Sequence, residues 1–156
     1  MTITIPSGLQ AGLKKANCLQ DIVRSNMIIG KTGNSILATT LKQMYSEEIK
    51  GSVYSHPIED WGHSAGTLIG MTNLQRGVPI LGDLPLLGES YNSVELYAEH
   101  FVPERNETLR FYLEEDVYWG GENGTWEWVW GRQEEFHLIR SDGEESGVRS
   151  RVQELK

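Results

Sequence analysis

The sequence predicts an α+β fold: an N-terminal helical segment followed by an antiparallel β-sheet or a small β-sandwich or barrel. Three observations predict it. Apolar residues recur at helical spacing up to about residue 50. From Ser93 onward, aromatic and β-branched residues gather in short, partly alternating runs. Nowhere do strand and helix patterns alternate as a parallel βαβ sheet requires, so the strands are expected to pair antiparallel. The organisation this implies is a helical segment at 1–52, a β-rich domain at 53–140 and a polar tail at 141–156.

Residues 7–28 carry an apolar stripe through Leu9, Leu13, Ala16, Leu19 or Gln20, and Val23. Ser7 and Gln10 fit a capping box, in which each side chain satisfies a free amide of the first turn. Gly30 and Gly33 in "GKTGN" break the helix. Asn34 is then placed to cap a second one, with Ile36 or Leu37, Leu41, Met44 and Ile49 in register and Gly51 as the stop. "MYSEEIKGSVYS" also fits an extended segment, so two readings of that stretch stand. Residues 55–92 are rich in glycine and carry Pro57, Pro79 and Pro85, the composition of turns. Strands are expected at 93–102, 108–119, 125–131 and 134–140, with "GGENG" closing a hairpin between the second and third.

Composition narrows the function classes. At 156 residues the chain fits one domain, and 38% hydrophobic residues with 17 glycines make a lean core that often completes its burial in an assembly. Cys18 stands alone, which excludes an intrachain disulfide and a cysteine-based metal site. No run approaches the length of a membrane span, and "MTITIPSG" lacks the pattern of a signal peptide. A soluble protein made in the cytoplasm, without membrane insertion, is the expectation. Residues 1–50 hold six Lys/Arg and three acids (+3), whereas residues 51–156 hold eight and nineteen (−11). The acidic body argues against a nucleic-acid partner, which demands a concentrated basic surface. Opposite signs on the two segments suit head-to-tail docking of copies, or are two ordinary solvated faces.

Gly62-His63-Ser64-Ala65-Gly66 matches the nucleophile elbow G-x-S-x-G, which needs a hydrophobic strand before it and a helix after it. "HPIEDW" precedes it and the glycine-broken "TLIGMTNLQRG" follows, so Ser64 is read as a loop residue. His100 and His137, downstream as a triad would require, sit in strand patterns. Cys18 lies mid-helix beside the apolar stripe, where a thiol is inert. His56 and His63 are seven apart with no third ligand at sensible spacing, so no metal site is expected. In Glu114-Glu115-Asp116, alternation allows at most two carboxylates on one side of a strand, and a solvated charge run is the preferred reading. No catalytic, cofactor-binding or metal-ligating residue is therefore assigned, and no cofactor is expected.

Trp126, Trp128 and Trp130 alternate, so in a strand all three indoles share one face. That face is a sheet core, a subunit contact or a platform for sugar rings. Pairing across the hairpin is expected to set the indoles opposite Leu109, Phe111 and Leu113, which favours the core. Loop 78–88 has two prolines and spaced glycines that keep it out of regular structure, yet carries Val78, Ile80, Leu81, Leu84, Leu86 and Leu87. Apolar side chains in such a loop need a neighbour, so these six are the expected assembly contact.

Two stretches resemble known families. Ser55-His56-Pro57-Ile58-Glu59-Asp60 is similar to the "HPVEDG" strand end of distal-tail-like tail and baseplate proteins of bacteriophages. It departs from their pattern at Trp61, where the family prefers glycine, and in "GHSAG". "VPILGDLPLLG" at 78–88 resembles the lip motif of secretins, although the chain is short for a secretin. Both resemblances imply non-enzymatic, β-rich, ring-forming proteins. The expected function is a structural assembly protein, most concretely a virion tail or baseplate component whose partners are its own copies and neighbouring subunits. A binding module presenting the tryptophan strand to glycan or protein is the alternative, and a secretin-like ring protein or a small hydrolase using Ser64 is the third reading.

Overall fold

The computed structural model describes residues 4–59, 62–120 and 124–139. Helices α1 (Ser7–Asn26) and α2 (Gly33–Ser46) precede strands β1 (Lys50–Glu59), β2 (Gly62–His63), β3 (Tyr91–Val102), β4 (Glu107–Gly120) and β5 (Thr125–Trp128). The strands form one antiparallel sheet in the order β2-β1-β3-β4-β5. The α+β class is as the sequence predicts, and of the forms expected the sheet takes the open one. Leu13, Ala16, Leu19 and Val23 of α1 pack against Val94, Leu96, Ala98, Phe111 and Leu113 of β3 and β4. Helices and sheet thus share one core, and β1 begins three residues ahead of the 52/53 boundary expected from composition.

The N-terminus of α1 is capped from a distance. Pro6 occupies the N-cap position and supplies no side-chain bond, so the Ser7–Gln10 capping box does not form. Instead the amide of Gly8 and the hydroxyl of Ser7 donate to Glu104 Oε1 at 2.9 and 3.0 Å, and Gln10 Nε2 donates to the carbonyl of Ile5. Glu104 sits in the short turn after β3, so this bond ties the first helix to the β3–β4 connection. Gly12 lies against the Phe111 ring, and any Cβ there would collide with it.

α2 begins two residues earlier than the sequence pattern placed it. The hydroxyl of Thr32, not Asn34, accepts the Ser35 amide at 3.2 Å. The helix ends at Ser46, the chain reverses at Glu48 (φ 55°), and β1 starts at Lys50. Each reading of "MYSEEIKGSVYS" therefore describes part of it: Met44–Ser46 are helical and residues from Lys50 on are extended.

Alternation divides the sheet into a helix-facing and an open side. Val53, Val94, Leu96, Ala98, Leu113 and Val117 face the helices. Ser52, Tyr54, His56, Ser93, Glu95, Tyr97, Tyr112, Glu114 and Asp116 share the opposite side, matched in rows by the registers His56↔Ser93↔Asp116 and Tyr54↔Glu95↔Glu114. Beyond β2, the outer edge of β1 is covered by irregular chain. Ser55 exchanges both backbone bonds with Ile69, and the Gln75 amide bonds the N–H and C=O of Val53 at 3.0 and 2.8 Å. That side chain imitates a peptide group and closes an edge otherwise open to pairing with another chain.

Two strand expectations are corrected. Residues 129–139 are irregular, so the strand expected at 134–140 does not form across the described part of it; Phe136 still packs partly on the core. The β4–β5 hairpin forms, but its register sets Trp126 opposite Trp119 and Trp128 opposite Val117, not the tryptophans opposite Leu109, Phe111 and Leu113. Only four residues separate Gly120 from Thr125, so β5 pairs with the end of β4 nearest in sequence. The tail at 141–156 lies outside the described residues.

Candidate functional site

Ser64 follows an antiparallel two-residue strand, its amide bonds the Pro57 carbonyl at 2.9 Å, and residues 64–80 contain no helix. The strand–turn–helix frame of a nucleophile elbow is not built here. His100 lies in β3 with its ring edge toward Phe111, whereas His137 is exposed in the irregular segment rather than in a strand. Cys18 is half-buried, 3.6 Å from a Glu47 carboxylate oxygen; burial first, then that bond, raises its thiol pKa and keeps it protonated.

Loop 78–88 is held firmly while exposing much of its apolar surface. Gly30 N donates to Leu86 O and Leu86 N to Lys31 O, both at 2.8 Å. Asn34 grips Val78 through both its amide N–H (3.1 Å) and its side-chain oxygen (2.7 Å), and reaches Asp83 at 2.8 Å. The Thr67 hydroxyl donates to Pro85 O at 2.6 Å. Of the six expected contact residues, Val78 and Leu86 are buried in the protein itself. Ile80, Leu81, Leu84 and Leu87 point outward, at 78, 41, 38 and 65% exposure. At the tip, Leu81 N bonds Pro79 O at 2.8 Å across Ile80, whose φ and ψ are 65° and −69°. This is the rare, strained γ-turn, and it is held by a β-branched residue that ordinarily avoids positive φ. Beside the tip, Pro57, Ile58, Leu84, Leu87 and Tyr91 line a groove of about 390 Å³.

The three tryptophans do not make one platform. Trp126 is buried, donates its indole N–H to Met27 O at 2.7 Å, and meets Trp119 edge-on at 5.3 Å. Trp128 is half-buried, with the guanidinium groups of Arg24 and Arg132 at 5.1 and 5.6 Å from its ring. Trp130 lies past the end of β5 and is 95% exposed.

The open side of the sheet holds a cluster that sequence spacing did not reveal. His56 of β1 is buried, with Nε2 2.7 Å from Glu95 Oε1 of β3 and Nδ1 3.0 Å from Pro57 O. The antiparallel pairing of β2 with β1 brings His63 over it, with ring centroids 4.0 Å apart. One potential ligand atom from each of His56, His63 and Glu95 lies within 4.8 Å of the others. Glu95 is the third group that the seven-residue spacing lacked; the β1–β3 register delivers it from thirty-nine residues away. Tyr54 stacks at 4.9 Å on His56, and its hydroxyl pKa is raised by burial and by Glu95 and Glu114. Asp116, across Ser93 from His56, also has a raised pKa, chiefly from burial, with His56 opposing. Glu115 turns to the helix side, where it bonds Gln20 and the amide of Gln133, so two of the three neighbouring acids share the open side as alternation requires. Among the described residues, no helix is long and apolar enough to cross a membrane. No family model, curated protein or solved structure matches this chain, so what it does is read from its own geometry.

Proposed function

We propose that this chain is a non-enzymatic assembly protein that packs against further copies of itself through the tip of loop 78–88. The observation that carries the reading is the ordered display of Ile80, Leu81, Leu84 and Leu87 to solvent on a loop pinned by Asn34, Thr67 and the backbone of Gly30 and Lys31. A flexible loop would fold such side chains inward; this one holds them out at the expense of a strained Ile80. Backbone strain of this kind costs about 1–3 kcal/mol and concentrates at functional positions. The tip and the groove adjoin and share Leu84 and Leu87, so each copy presents one continuous apolar patch for a neighbour to cover. The +3 and −11 segments add long-range attraction between unlike parts of neighbouring copies. The resemblance of Ser55–Asp60 to distal-tail-like proteins gives the proposal its most concrete form, a ring-forming component of a virion tail or baseplate.

Light scattering on the purified chain tests the proposal. The wild-type protein should form a discrete oligomer, and Leu87→Asp or Leu84→Asp should dissociate it while circular dichroism and melting stay those of a folded subunit. Ile80→Gly should separate the two roles of the tip. It relieves the positive φ, so the subunit gains about 1 kcal/mol once the flexibility of glycine is set against the relieved strain, yet association weakens because the knob is gone. A strict monomer at high concentration, or an oligomer indifferent to all three substitutions, refutes the reading.

A further inference from the structure

We infer that His56, His63 and Glu95 form a binding site for a divalent transition metal of the zinc class on the open side of the sheet. The inference is independent of the loop and rests on the hydrogen-bonding needs of one buried imidazole. Nδ1 of His56 faces the carbonyl of Pro57 at 3.0 Å, and a carbonyl only accepts, so Nδ1 carries a proton. In a neutral ring Nε2 is then bare, and it points its lone pair at a carboxylate oxygen 2.7 Å away. Two acceptors at that distance repel unless a cation reconciles them. A second proton would do so for this pair alone. A metal ion does so for the pair and also accounts for His63, which is folded back over the same spot.

The geometry suits a metal. Ligand atoms around a tetrahedral Zn²⁺ stand roughly 3.3 Å apart, given bonds of about 2.0–2.1 Å. His56 Nε2 and Glu95 Oε1, at 2.7 Å, need to part by about 0.6 Å to reach that spacing, which the partly exposed Glu95 side chain allows, and the exposed His63 ring closes in from within 4.8 Å. The Nδ1–H···O=C bond of His56 is the outer partner that ligating histidines habitually have, because it fixes the tautomer that leaves Nε2 free. Glu114 and Asp116 lie on the same side of β4 and favour added positive charge. Ser93, between His56 and Asp116 in register, is buried with a hydroxyl that has no partner among the described residues, a further polar group beside the cluster. Two imidazoles and one carboxylate select zinc or a similarly borderline ion over Mg²⁺ or Ca²⁺, which prefer oxygen alone.

The test is calorimetric titration of chelator-treated, full-length protein with Zn²⁺, and with Co²⁺ as a spectroscopic substitute. The expected result is one equivalent of Zn²⁺ per chain, a visible Co²⁺ spectrum of low-coordinate type that Zn²⁺ abolishes, and a raised melting temperature with metal. His63→Ala, at an exposed position, and the isosteric Glu95→Gln should each leave the fold intact. Each should weaken Zn²⁺ binding by more than the roughly 10–100-fold that loss of an outer partner costs. Absence of stoichiometric uptake by the wild-type chain overturns the inference, as does Zn²⁺ binding that survives either substitution, since the site would then lie elsewhere.

Discussion

Truncating the three alternating tryptophans one at a time should give a steep gradient of stability rather than three similar losses. Trp126 is 6% exposed and bridges the hairpin to the end of α1 through Met27. A buried indole removes about 150–250 Å² from water, which at about 25 cal/mol per Å² is roughly 4–6 kcal/mol. Trp126→Ala should therefore cost about 3–5 kcal/mol, the usual range for such truncations. That is a large part of the roughly 5–15 kcal/mol that holds a domain together. Trp126→Phe keeps most of the ring but strands the Met27 carbonyl, for about 1–3 kcal/mol. Trp128→Ala loses partial burial and two guanidinium contacts and should fall between, at about 1–2 kcal/mol. Trp130→Ala should stay within about 0.5 kcal/mol, as exposed positions do. Urea unfolding followed by circular dichroism gives each value from the midpoint shift at unchanged slope. Equal losses at Trp126 and Trp130, or a cost-free Trp126→Phe, would show that the indoles act as a surface and that the hairpin is not fastened to α1.

Gly12→Ala should lower stability by about 1–3 kcal/mol through overpacking, because its new methyl meets the Phe111 ring; pairing it with Phe111→Leu should recover part of the loss in thermal melts. Glu104 accepts from the Gly8 amide and the Ser7 hydroxyl, bonds that hold its pKa below the ordinary carboxylate value. Its contribution is therefore present above the unfolded-state pKa and is lost as pH falls through the folded one. Melting temperatures of wild type and Glu104→Gln should differ at neutral pH and converge in acid below the carboxylate range; a gap that is constant with pH would contradict the distant cap.

Where one element is specified by its own residues, the sequence was enough to read it. Leu13, Ala16, Leu19 and Val23 repeat at helical spacing and face the sheet, and Val94, Leu96 and Ala98 alternate and face the helices. The caps show the limit of such reading. Ser7 and Gln10 match a local pattern, but Pro6 precedes them and Glu104, nearly a hundred residues away, supplies a charged acceptor to the Gly8 amide and the Ser7 hydroxyl. A carboxylate binds N–H groups more strongly than a neutral side chain does. Asn34 likewise looks like a cap by composition, yet it makes three bonds to Val78 and Asp83, so Thr32 takes the cap. The hairpin register failed for a similar reason: alternation tells which side a residue faces but not which partner lies opposite, and the short 121–124 connection settles that in favour of Trp119 and Val117.

The same distinction explains why the histidine cluster was unreadable and the apolar loop half-readable. Loop 78–88 announces itself by composition, because leucine and isoleucine between prolines and glycines need cover of some kind. Composition does not say which side chains the protein covers itself. Asn34 and the backbone of residues 30–33 draw Val78 and Leu86 inward and thereby turn Ile80 and Leu87 out. For the histidines even the composition is silent. His56 and His63 are seven apart, a spacing that belongs to no metal motif, and they meet only because β1 reverses into β2. Glu95 joins them through the pairing of β1 with β3, in which Tyr54 lies opposite Glu95 and His56 is the next residue on that side. A one-residue slip of that register would carry Glu95 to the helix side, where its charge would face Leu19 and Val23. The apolar alternation of Val94, Leu96 and Ala98 forbids the slip, so the residues that build the core also hold Glu95 against His56. Val94→Asp, which buries an unpaired carboxylate in the core, should therefore abolish Zn²⁺ uptake in the calorimetric titration although it replaces none of the three ligands, and uptake equal to wild type would refute the dependence.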